Sequence, residues 1–81
     1  MPTIFRKYGY RFHFFANERN EPAHIHVTGK GGEMKVWLIG PLRVASVFKV
    51  SPADQRKIME VIRENAKLFL EEWHEFSRKK N

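Results

Sequence analysis

Apolar and polar positions alternate along stretches of the first fifty residues, most clearly from Tyr10 to Phe14 and from Glu33 to Leu38, and apolar positions recur every third or fourth residue beyond them. The first regime predicts strands and the second a helix. Thr3 to Lys7 and Tyr10 to Asn17 read as two strands joined around Tyr8-Gly9. The second carries Tyr10, Phe12 and Phe14 on one face and Arg11, His13 and Phe15 on the other. Asn17 to Pro22 is a polar loop in which Asn and Pro supply turn chemistry. His24 to Thr28 is the third strand, and Gly29-Lys30-Gly31-Gly32 is a hairpin turn whose glycines can take positive φ. Glu33 to Ile39 returns as the fourth strand, with Met34, Val36 and Leu38 opposite Lys35 and Trp37, and Gly40-Pro41 ends it. Leu42 to Val50 fits two states. Its β-branched Val44, Val47 and Val50 favour a fifth strand, while its Ala, Leu and Arg also permit a short helix through Arg43 to Phe48.

Ser51-Pro52-Ala53-Asp54 places a capping serine, a proline at the first helical position and an acid in the first turn. Beyond it, Ile58, Ile62, Ala66, Phe69, Trp73 and Phe76 form one apolar stripe. The spacing predicts a single helix over about 52–77, roughly 38 Å long at 1.5 Å per residue. Met59, Leu68 and Leu70 widen the stripe, as expected where a helix is covered on more than one side or joins a partner, a second copy in a homodimer included. The expected architecture is one α+β domain over 1–81, with strands within about 3–50. An antiparallel sheet of four or five strands carries one long C-terminal helix.

Composition narrows the function classes. The 81 residues contain no cysteine, which leaves out disulfides, thiolate zinc sites and cysteine nucleophiles. A net charge of +6 favours polyanionic partners: RNA, DNA or an acidic protein. No apolar run approaches the roughly 20 residues of a membrane span, and the N-terminus lacks the apolar segment of a signal peptide. A cytoplasmic protein with no membrane partner is therefore expected. Arg78-Lys79-Lys80 is a basic run at a frayed end.

The chemistry centres on His24 and His26, which a strand period of two places on one face. Imidazole exchanges protons near neutral pH and is a common metal ligand. The pair therefore reads as a general acid and base, as two metal ligands, or as strand residues with no chemical role. A metal would need a third ligand, for which Glu33 and His13 are the candidates. No further His, Asp or Glu stands at diagnostic spacing, so no metal and no cofactor is expected. Arg11 and His13 share a face and lie beside the pair if the two strands associate. With Tyr10 they form a His/Arg/Tyr group suited to phosphodiester chemistry. One imidazole takes the 2′-hydroxyl proton, another protonates the leaving oxygen, and the guanidinium stabilises the phosphorane. The competing reading makes Tyr10, Phe12 and Phe14 sheet core and Arg11 a solvated edge residue. Trp37 beside Lys35 can stack a base or simply cover the second face of a thin sheet. His74, among Glu71, Glu72 and Glu75, is read as a surface residue, the alternative being that it joins the histidines. The glycine-rich turn is not a phosphate loop, since no helix follows it.

Several short segments together resemble a known family. Met1 to Arg6, Gly9-Tyr10-Arg11-Phe12, Pro22-x-His24-x-His26-Val27, Lys35-Val36-Trp37-Leu38 and Phe69-x3-Trp73-His74-Glu75-Phe76 resemble the small bacterial domain-of-unknown-function family forty-one-sixty over nearly the whole chain. The resemblance implies a gene paired with another small gene, as in a toxin–antitoxin module, with this family as the toxin. It maps the motif histidines onto His24 and His26 and the arginine after Gly-Tyr onto Arg11. His13 departs from an aromatic position of the family, and Asn65 from one where a histidine often occurs.

Three functions follow as expectations. The first is a type II toxin acting on RNA as a metal-independent ribonuclease, with catalytic His24, His26 and Arg11. Arg11, His13, Lys35 and Trp37 would contact nucleic acid, and a small acidic antitoxin encoded nearby would be the partner. The second is a non-catalytic nucleic-acid- or protein-binding module. The third is a metal-binding protein using the histidine pair.

Overall fold

The structure is a computed structural model that describes residues 3–15 and 20–78. Met1 and Pro2, the Ala16-Asn17 end of the predicted second strand, Asn17 to Arg19 of the loop and Lys79-Lys80 of the basic run lie outside the described residues. The elements are β1 (Thr3–Lys7), β2 (Tyr10–His13), β3 (His24–Gly29), β4 (Gly32–Trp37), β5 (Arg43–Phe48), α1 (Pro52–Glu64) and α2 (Ala66–Arg78). The strands form one antiparallel sheet in chain order.

Two of the hairpins use the same device. Tyr8 and Gly9 (φ 58° and 83°) and Lys30 and Gly31 (φ 53° and 79°) are two-residue turns with positive φ throughout. That mirror-image turn matches the twist of the strands it joins. Gly32 answers to a different constraint, because a Cβ there would overlap the Lys49 carbonyl.

The ambiguous Leu42 to Val50 segment is a strand, and its irregularity explains the ambiguity. Lys35 pairs with Ser46 and Val36 with Val44, so Ala45 is an extra residue. This bulge puts Val44 and Val47, three apart, on one face and makes a strand imitate helical spacing.

The predicted single long helix is two. Asn65 interrupts it with φ −116° and ψ 18°. Its side-chain amide donates to the Val61 carbonyl at 2.8 Å. Its backbone N–H is shared between the carbonyls of Val61 (3.0 Å) and Ile62 (3.2 Å), and its own carbonyl accepts from Phe69 N–H at 2.9 Å. A short amide side chain that competes for the ladder stops one helix and opens the next. The apolar stripe nevertheless faces inward on both sides of the break: Ile58, Ile62, Phe69 and Trp73 are buried, and Ala66 and Phe76 are half-buried. Met59 and Leu70 pack partly buried against the core, whereas Leu68 is exposed.

The helices cover the face that holds Tyr10, Phe12, Phe14, Ile25, Val27, Met34 and Val36, all buried. The Phe69 ring sits 5.6 Å from Phe5 and 5.8 Å from Phe12, and Phe14 lies 5.2 Å from Trp73. At the start of α1, Ser51 Oγ accepts from Asp54 N–H at 3.1 Å. The Tyr10 hydroxyl donates to Asp54 Oδ2 at 2.7 Å, and Lys30 Nζ stands 3.5 Å from the same oxygen. The first turn of α1 is thereby tied to β2 and to the β3–β4 turn. Among the described residues, no helix is long and apolar enough to cross a membrane.

Candidate functional site

Cross-strand partners share a face of a sheet, so register alone assembles the site. Arg11 pairs with Thr28, His13 with His26, His26 with Lys35 and His24 with Trp37. Arg11, His13, His24, His26, Lys35 and Trp37, with Thr28 and Glu33, therefore share the face opposite the apolar one that the helices cover, although Trp73 of α2 also reaches His24 at its end. Register extends that face to two residues missed in the sequence: Arg6 opposite Arg11, and Arg43 opposite Trp37. Both are exposed. Nothing in their local spacing marks them, because they join the group only through strand pairing. Phe15 shares this face, its ring 4.3 Å from His26 and 5.0 Å from His13.

Depth separates the histidines. His24 is wholly buried, its ring 4.9 Å from Trp73, 5.1 Å from His26 and 5.6 Å from Trp37. Its Nδ1 stands 2.9 Å from the Pro22 carbonyl, which can only accept, so Nδ1 carries a proton and donates it there. The tautomer is thus set by the loop. His24 offers no surface to a substrate in this conformation. His26 is half-buried and is the histidine of the motif that reaches the surface.

His13 is buried, with Nε2 3.2 Å from Thr28 Oγ1 and its ring stacked 6.0 Å from His26. Its Nδ1 is buried with no hydrogen-bond partner among the described residues. Burial first, then the nearby charges of Arg11 and His26, push its pKa down to about 4. It is therefore neutral at pH 7 and cannot serve there as a proton donor in the imidazolium form.

Glu21 is a third residue without a signal of its own. Its Oε1 lies 2.7 Å from Lys35 Nζ and 3.9 Å from His24 Nδ1. Lys35 Nζ in turn lies 4.7 Å from the centre of the Trp37 ring, within cation–π range. This network ties the loop before β3 to β4. Among the described residues, no group of three or more His, Cys, Asp or Glu stands close enough to hold a metal ion. His74 is exposed on α2, where it lines a surface depression with Glu71, Glu72, Glu75 and Arg78, as the surface reading expected.

The fold and site define a small α+β protein whose sheet is roofed on one side and presents histidine, arginine and lysine on the other. Residues 9–74 match the family described as "Domain of unknown function (DUF4160)", and the chain belongs to that family. No curated protein and no solved structure matches the chain.

Proposed function

We propose that this protein acts on RNA as the toxin of a type II toxin–antitoxin module, binding single-stranded RNA across the open face of its sheet. One observation carries the reading: the helices occupy one face, and on the other Arg6, Arg11, Lys35 and Arg43 outnumber the carboxylates of Glu33 and Glu21 and interleave with Phe15, His26 and Trp37. Cations spaced along a surface neutralise phosphates, and aromatic rings between them stack bases without regard to sequence. The net charge of +6 supports the same reading and supplies the attraction for a small acidic antitoxin.

Within this reading His26 is the catalytic imidazole and Arg11 the phosphate contact. His26 takes the 2′-hydroxyl proton as the 2′ oxygen attacks phosphorus, and the 5′ oxygen leaves with that proton to give a cyclic phosphate and a free 5′-hydroxyl. Arg11 balances the charge gathered on the phosphorane. His24 becomes a positioning residue that sets the start of β3.

The test is cleavage of a single-stranded RNA by the purified protein, read with growth on overexpression. The expected result is growth arrest and cleavage that fall at least a hundredfold in His26→Ala, with RNA binding retained. Binding without cleavage in both parent and variant supports the second reading, a non-catalytic RNA-binding module, which the burial of His24 favours. Neither binding nor arrest overturns both.

A further inference from the structure

We propose that the protein pairs with a second copy of itself through β5, edge to edge and antiparallel. The sheet of each protomer then continues into that of the other, open face beside open face. This inference rests on β5 alone and does not require the RNA reading.

β5 is an edge of the sheet, hydrogen-bonded within the chain to β4 on one side. All six of its residues are exposed. Val44, Val47 and Phe48 are 41, 44 and 57 % exposed, although Val44 and Val47 lie on the face that the helices cover elsewhere. Edges are ordinarily blunted by charge. The opposite edge, β1, follows that rule with Arg6 and Lys7. In β5 the segment Val44 to Phe48 carries no charge between Arg43 and Lys49.

The sequence of this edge is self-complementary in register. In the antiparallel arrangement that sets Arg43 opposite the partner's Phe48, Val44 faces the partner's Val47 and Ala45 faces the partner's Ser46. The remaining pairs follow by symmetry. Arg43 and Phe48 belong to the open face and Val44 and Val47 to the helix face, so each of these pairs meets on the same face. Val44 and Val47 share a face because Ala45 is the extra residue of the bulge, and a second copy carries the same bulge, so both valine pairs meet on the helix face. Lys49 falls opposite the partner's Leu42, so no like charges face each other. An acidic partner strand would find cations only at the two ends of β5 and an apolar centre between them.

The experiment is the mass of the full chain in solution at tens of micromolar, by light scattering after size exclusion. The expected mass is twice 9.6 kDa. Val47→Lys is expected to halve it while circular dichroism and the melting temperature stay near those of the parent. The chain has no cysteine, so introduced thiols report register directly. Val44→Cys mixed with Val47→Cys is expected to cross-link on oxidation several-fold more than either variant alone, because like positions lie too far apart to bridge. A monomeric parent, a dimer that survives Val47→Lys, or equal cross-linking in the separate samples would each overturn the proposal. So would a monomer whose β5 is taken up by an acidic strand-forming peptide.

Discussion

Between pH 6.5 and about 4 the unfolded chain binds a proton at His13 that the folded chain does not, because burial holds the folded imidazole low. Stability from this residue is therefore complete above pH 6.5 and is lost as the pH falls toward 4. The melting temperature is expected to drop across that window, and His13→Phe is expected to flatten the drop. A pH series of thermal melts on both proteins checks it. Asp54 acts lower on the scale: the Tyr10 hydroxyl holds its carboxyl below the ordinary value, so its contribution is lost only as the pH falls through the carboxylate range. Burial and then Asp54 push Tyr10 up to about 12. Tyr10→Phe removes the donor to Asp54 and is expected to cost about 1–2 kcal/mol, read as a lower midpoint in urea. His24→Ala opens a cavity against Trp73 and leaves the Pro22 carbonyl without its donor, an expected loss of about 2–4 kcal/mol. His26→Ala, at the surface, is expected to cost under about 1 kcal/mol. That contrast in denaturation midpoints separates the buried histidine that packs against Trp73 from the one that reaches the surface.

Alternation made β2, β3 and β4 legible, since Phe12, Ile25, Val27, Met34 and Val36 each sit where a period of two places them, whereas β1 has Ile4 and Phe5 adjacent and its register with β2 shifts between Thr3 and Phe5. Two further elements departed from the pattern, each through a single residue. Ala45 shifts the phase of β5, and no local spacing announces a bulge. Asn65 stops α1 by hydrogen bonding, while the apolar stripe on which the helix reading rested runs through it unchanged. Asn65→Ala is expected to lose about 1 kcal/mol with the cap. Gly32→Ala drives a methyl group into the Lys49 carbonyl and is expected to lower the melting temperature by more than about 10 °C. Thermal unfolding of the two variants against the parent measures both.

At the scale of the whole molecule the two faces of the sheet differ, one packed into the core and the other carrying the histidine, arginine and lysine side chains. Alternation made readable which residues of one strand share a side, such as Arg11 with His13 or His24 with His26, while register decided which of those sides form the open face. Alternation left depth unreadable: Trp73, from the far end of the chain, closes over His24 and turns half of the histidine pair inward. Arg6, Arg43 and Glu21 likewise entered only with register and loop placement. Equilibrium binding of a fluorescein-labelled single-stranded RNA, followed by anisotropy over a range of salt, tests the proposed RNA binding at the open face. Affinity is expected to fall with salt. Replacing Arg11 and Lys35 together by alanine is expected to weaken binding at least tenfold and lower the salt slope by about 1.4, some 0.7 per phosphate contact. Lys67→Ala, on the exposed surface of α2, is expected to bind within about twofold of the parent. Binding that the double variant leaves intact, or that Lys67→Ala reduces as much, would contradict RNA binding at the open face.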